Sequence, residues 1–167
     1  IMEDMFRFAD AFGPARIGHL YQPSLALNAI VVVDNTACGP AIGGVRMAPD
    51  VSVEECFRLA RAMTWKNAAA GLPHGGGKSV IFGDPRMAAA AKEELIRCFA
   101  TAIADMTDYI PGPDMGTDEC CMAWVKEETG RAVGLPSSIG GIPLDEIGAT
   151  GFGLAACVDV AREFIGL

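Results

Sequence analysis

Met63-Thr64-Trp65-Lys66-Asn67-Ala68-Ala69-Ala70-Gly71-Leu72-Pro73-His74-Gly75-Gly76-Gly77-Lys78-Ser79-Val80-Ile81-Phe82 passes from helical composition through a run of breakers into an apolar, β-branched segment. Gly71 and Pro73 end a helix, the glycines let backbone and ligand approach closely, and Lys78 to Phe82 reads as a strand. Working upstream, Ser52-Val53-Glu54-Glu55 is a capping box, so the helix starts there. Val53, Cys56, Phe57, Ala60, Met63 and Thr64 mark its inner face. Leu25 to Val33 reads as a buried strand ending in a turn at Asp34-Asn35, and Gly39-Pro40-Ala41-Ile42-Gly43-Gly44 as a loop. Met2, Met5, Phe6, Ala9 and Phe12 recur at helical spacing and predict a short N-terminal helix stopped by Gly13-Pro14. Downstream, Ala-rich Met87–Ala91 reads as helix, and Leu95, Cys98, Phe99, Ala102 and Ile103 stripe a further one. Another runs from Thr117 to about Glu128, with Asp118 and Glu119 in the first turn where the helix dipole favours acid. Leu154, Ala155, Val158, Ala161, Arg162 and Ile165 mark a last helix. Strands alternating with helices predict an α/β layered domain.

The chain of 167 residues is about one domain's worth, and 51% hydrophobic with 20% charged residues is enough apolar material for a core. Lys+Arg 13 against Asp+Glu 21 gives a net charge of −8, which repels nucleic acid and anionic membranes. The six cysteines (Cys38, Cys56, Cys98, Cys120, Cys121 and Cys157) form no C-x-x-C and read as reduced, mostly buried thiols. His19 and His74 have no ligand spacing to a cysteine, so no metal site is expected. Apolar runs such as Ala29 to Val33 fall far short of the ~20 residues that span a bilayer. The expectation is a soluble, cytoplasmic protein. Both ends read as cut, at Ile1-Met2 and at Ile165-Gly166-Leu167, so a piece of a longer protein is expected.

Lys66 follows Met63 by three positions and Leu59 by seven, close to the inner stripe of its helix, where a lysine either snorkels or serves a site. Lys78 directly follows three glycines, and two cations beside bare backbone suit a carboxylate or a phosphate. A P-loop is excluded, because its first glycine would fall at Leu72 and a helix precedes the glycines where a strand is required. Gly151-Phe152-Gly153-Leu154-Ala155-Ala156 matches G-x-G-x-x-A, but no strand precedes it, and small residues in a closely packed helix explain it better. Asp114, in Tyr109-Ile110-Pro111-Gly112-Pro113-Asp114-Met115-Gly116-Thr117, sits in a rigid turn leading into a helix, either as a turn residue or as a proton-transfer group beside the two lysines.

Gly39 to Met47, Met63 to Lys78, Gly83-Asp84-Pro85 and Pro113 to Thr117 resemble the N-terminal, substrate-binding and oligomerisation domain of the glutamate/leucine/phenylalanine/valine dehydrogenases. The resemblance covers about Val31 to Gly153. It implies a three-layer α/β domain over residues 1–167 with a mixed β-sheet flanked by helices, its last helix (about 148–165) leading to a Rossmann domain absent from this chain. It implies NAD or NADP as cofactor, held mainly by that second domain, an amino acid or 2-oxo acid as substrate, and a homo-oligomer. Carried over by motif, Lys66 binds the substrate α-carboxylate and Lys78 is the catalytic lysine. Asp114 is its acid/base partner, Gly43, Gly44 and Met63 line the substrate, and Thr150 lies near the nicotinamide.

Glutamate-specific members carry a lysine just before the paired glycines, where this chain has Ile42. An apolar wall leaves a γ-carboxylate unpaired, at a cost of several kcal/mol, so leucine, valine or another apolar amino acid is expected. Gly140-Gly141-Ile142-Pro143-Leu144-Asp145-Glu146 is nearer to the glutamate pattern and keeps glutamate as the alternative. A non-catalytic oligomerisation or amino-acid-binding module is the other.

Overall fold

Residues 6–144 and 146–166 are described by a computed structural model. Among these residues five strands form one mixed sheet: β1 (Arg16–Gln22), β2 (Leu27–Asn35), β3 (Ala41–Ala48), β4 (Gly75–Phe82) and β5 (Tyr109–Pro113). Their spatial order is β1-β2-β4-β3-β5, with β1, β2 and β4 successively antiparallel and β4, β3 and β5 mutually parallel. Among the described residues four α-helices accompany it: α1 (Val53–Ala69), α2 (Ala89–Ala102), α3 (Glu119–Thr129) and α4 (Ala149–Ile165).

Because successive strand residues point to opposite faces, β2 feeds two cores. Val31 and Val33 join Ile96, Phe99, Met122 and Val125 of α2 and α3 on one face. Ile30 and Val32 join Cys56, Phe57 and Ala60 of α1 on the other. The result is the expected three-layer arrangement. α1 lies chiefly on β4 and β2, so the same face is left partly open over β3 and β5.

The helix start at Ser52 is formed as expected: its Oγ accepts from the Glu55 amide at 3.1 Å. Ser52→Ala should therefore cost about 1 kcal/mol, read as a lower urea midpoint at unchanged slope. The reciprocal arm of the capping box is not made; the Glu55 carboxylate turns instead to Arg46. Asp118 is the N-cap of α3 and not part of its first turn.

Several expectations are corrected. Of the N-terminal helix, Met2 and Met5 lie outside the described residues, and Phe6–Phe8 form a turn. Tertiary bonds override the helical spacing there. Asp10 accepts from Arg61 and from the Phe12 amide, which hold its carboxyl at about 2. The loop expected over Gly39 to Gly44 is strand from Ala41 on, and the glycines before Lys78 also belong to a strand. The turn expected over Tyr109 to Pro113 is edge strand β5, a place that tolerates Pro111 and Pro113 because one side of its backbone needs no ladder donors. β1 carried no recognised signal. On α1, Val53 is exposed and Met63 half-buried, and the buried set continues through Thr64 to Asn67, leaving Lys66 exposed. All six cysteines are free, but only Cys56 and Cys121 are buried, so the expectation of mostly buried thiols fails. No helix among the described residues is long and apolar enough to cross a membrane.

Candidate active site

Lys78 lies two residues before Val80 on β4 and so shares its α1-facing side, in a strand buried along nearly its whole length. The lysine itself is 5% exposed. Its Nζ donates to Oδ2 of Asp114, which follows the end of β5. The other carboxylate oxygen, Oδ1, accepts from the Met115 amide at 2.7 Å and faces the Arg46 guanidinium at 3.4 Å. The Asp114 amide donates to Thr117 Oγ1, whose hydroxyl donates to the Val45 carbonyl at 2.7 Å. Asp114 is thus tied to β3 through its carboxylate, by Arg46, and through its backbone amide, by Thr117.

The glycines make the space. A side chain at Gly44 would put its Cβ 2.8 Å from the Asp114 Cβ and 3.1 Å from Lys78 Nζ, so only bare backbone admits the pair. At Gly43 a Cβ would overlap the Gly77 carbonyl, and at Gly76 it would overlap the backbone nitrogen and hydroxyl of Thr64. Gly76 therefore lets the last turns of α1 settle on β4, where Asn67 donates to the Gly75 carbonyl at 2.6 Å. Behind the site, Tyr109 accepts from Ser79 and donates to the Gly43 carbonyl, joining β5, β4 and β3.

Burial, first, and the Arg46 guanidinium, second, pull the Lys78 ammonium down from 10.5 to about 8. Lys66 contributes in the same sense, whereas Cys56 and Glu55 oppose it. The Asp114 carboxylate acts with these last two, favouring the charged amine. Cys56, beneath Lys78, is pushed up to about 12 by burial and packs as a neutral thiol.

Of the residues singled out from the sequence, Lys78, Asp114 and Gly44 are brought into contact, and Gly43 supports them from the neighbouring position of β3. Ile42 is half-buried on the same face as Gly44, next to Ile110 of β5. Lys66 is exposed on the last turn of α1 and makes no hydrogen bond through its side chain among the described residues, close enough for its charge to act on Lys78. Met63 is half-buried on that helix. Thr150 is not brought to the site: it is exposed in α4, none of whose residues is buried. Arg46 has no sequence signal marking it as a site residue, and Glu55 has only that of a capping box; β3 as a strand puts Ile42, Gly44 and Arg46 on one face by their alternation.

These residues build no dinucleotide cradle. The parallel crossover from β3 through α1 to β4 has Pro49-Asp50-Val51-Ser52 ahead of its helix and Glu54 and Glu55 in the first turn, which repel a pyrophosphate. Gly151 and Gly153 lie inside α4 and not at a strand-to-helix turn.

Residues 10–131 match the family model described as "Glu/Leu/Phe/Val dehydrogenase, dimerisation domain". The chain is 36% identical over 142 residues to a leucine dehydrogenase of Bacillus subtilis, covering 82% of this chain and 38% of that protein. It is 39% identical over 149 residues to an NADP(+)-dependent glutamate dehydrogenase of Pyrobaculum calidifontis, covering 81% and 35%. Among solved structures, a hetero-hexameric glutamate dehydrogenase from Thermus thermophilus in its Leu-bound form superposes with a TM-score of 0.80 at 29% identity, covering 92% of this chain and 42% of that one. The chain thus spans well under half the length of these relatives. With the matched segment reaching across β1 to α3, the chain belongs to the Glu/Leu/Phe/Val dehydrogenase family through its dimerisation domain.

Proposed function

We propose that residues 1–167 form the substrate-binding and oligomerisation domain of an NAD(P)-dependent amino acid dehydrogenase that deaminates an apolar L-amino acid to its 2-oxo acid and ammonia. The observation that carries this reading is the buried Lys78 seated against Asp114 on bare Gly44 backbone. NAD or NADP is the hydride acceptor, held chiefly by residues other than these. The protein assembles with copies of itself in this reading. A bilayer and nucleic acid have no part in it, and the compartment is the cytoplasm.

Lys66, exposed on the last turn of α1, pairs the substrate α-carboxylate in this reading, with Met63 and the Gly43-Gly44 backbone as walls. Once hydride has left Cα, the substrate is an iminium. Water adds to its carbon as Lys78, neutral near pH 8, takes the water's proton. Lys78 hands that proton through Asp114 to the nitrogen, and ammonia departs as the carbinolamine hydroxyl gives its own proton to Lys78, leaving the 2-oxo acid. Thr150 has its place beside the nicotinamide only if α4 packs against further protein.

Ile42 and its neighbour Ile110 support apolar specificity, since together they present no partner for a γ-carboxylate. The relatives include both leucine and glutamate dehydrogenases at similar identity, so the pocket residue and not overall similarity carries this choice. Ile42→Lys in the natural protein that carries this chain should raise the kcat/KM ratio for glutamate over leucine about ten-fold or more. The new ammonium gives the γ-carboxylate a charge-assisted hydrogen bond and is left unpaired when leucine binds. Steady-state assays with both amino acids test it, and an unaltered enzyme that already prefers glutamate overturns the apolar reading.

A further inference from the structure

Between β3, α1 and β5 lies a charged chain that neither the motifs nor the family match assigns. Glu55 in the first turn of α1 bonds the Arg46 guanidinium through Nη1, and Arg46 Nη2 faces Asp114 Oδ1 at 3.4 Å. The Arg46 side chain is 18% exposed, and its Nε is buried without a hydrogen-bond partner among the described residues. A guanidinium kept in such a place is held by its two carboxylates, and its planar fork lets it bridge them where an ammonium would serve one at a time.

We propose, resting on the dehydrogenase reading above, that Arg46 is a positioning residue: clamped by Glu55, it fixes the Asp114 carboxylate so that Oδ2 alone serves Lys78. The split follows from the bonds. Oδ1 is saturated by the Met115 amide and Arg46, while Oδ2 has Lys78 as its partner. Arg46 also sets the charge balance at Lys78. Facing that amine are Asp114 after β5, Arg46 from β3, and Glu55, Cys56 and Lys66 from α1; Arg46 is the strongest of the cationic influences. Removing its charge leaves the proton on Lys78 to a higher pH, and removing the Glu55 charge releases it at a lower one. The capping-box glutamate thereby links the start of α1 to the acid/base pair.

The test has two readouts. The first is the pH midpoint of Lys78 in the 167-residue chain, followed by NMR of labelled lysine side chains and assigned by its loss in Lys78→Met. Arg46→Gln should move that midpoint up by roughly half a pH unit or more, and Glu55→Gln should move it down. Arg46→Lys should bring it back towards the original value. The second is the kinetics of the natural protein: kcat falls more than ten-fold in Arg46→Gln with KM nearly unchanged, and Arg46→Lys recovers only part of it. A folded Arg46→Gln variant with neither a moved midpoint nor a lowered kcat overturns the role. If that variant does not fold, a folded Glu55→Gln with an unmoved midpoint overturns it equally. An unaltered protein without any amino acid dehydrogenase activity instead overturns the functional reading on which the role rests.

Discussion

Lys78→Ala is expected to lower kcat of the natural protein by about 10²–10⁴-fold, the usual worth of positioned proton transfer. Lys66→Ala should chiefly raise KM, because an exposed lysine that pairs the carboxylate of bound substrate contributes to ground-state binding. The pH dependence separates the two. The Lys78 amine, drawn down to about 8, works as a base when neutral, so kcat/KM should climb with pH through that value. The Lys66 variant should keep this limb, and the alanine at 78 should abolish it. The same group marks stability. Because its value in the fold lies below the ordinary 10.5, the unfolded chain holds the proton more tightly between about 8 and 10.5. The cost of burying the ammonium is therefore full below pH 8 and is relieved as pH rises through that window. Near-normal turnover in Lys78→Ala would remove the lysine from the chemistry.

Gly76→Ala, which adds one methyl group to the sheet, should cost about 3 kcal/mol or more. Gly76 is not in the left-handed region, so sterics alone decide the outcome. A Cβ there meets the backbone nitrogen of Thr64, and no rotamer change can move a backbone atom of a packed helix. Either α1 lifts from β4, exposing Cys56, Phe57 and Ala60, or the strand shifts and breaks its register with β2 and β3. Gly151→Ala is the matched control: open space surrounds it on α4, and the helix should gain about 0.5–1 kcal/mol. Denaturant unfolding of the two variants beside the unaltered chain gives the comparison. Equal midpoints for Gly76→Ala and the parent would mean that α1 does not rest on this glycine.

Local chemistry was enough to set the start of α1 at Ser52, its stop before Gly71, the buried strand ahead of Asp34, the presence of α2 and α3, and Lys78 and Asp114 as the residues to watch. These are short-range signals: a cap, a breaker, a period of 3.6, a β-branched run. The strands β3 and β5 were not legible. One carries paired glycines and the other two prolines, residues that locally argue for turns. They become strands because Gly43 must let the Gly77 carbonyl approach and because β5 needs ladder bonds on one side only. Lys66 shows the same limit from the other direction. Its spacing fits the buried stripe, yet α1 turns Asn67 inward at its end and leaves the lysine in solvent. Most of all, Glu55 satisfies a capping pattern by sequence and serves Arg46 in the fold, since a carboxylate takes the charged donor within reach over a neutral amide. Which donor is within reach depends on how β3 packs beside α1, a contact between segments that no local pattern encodes.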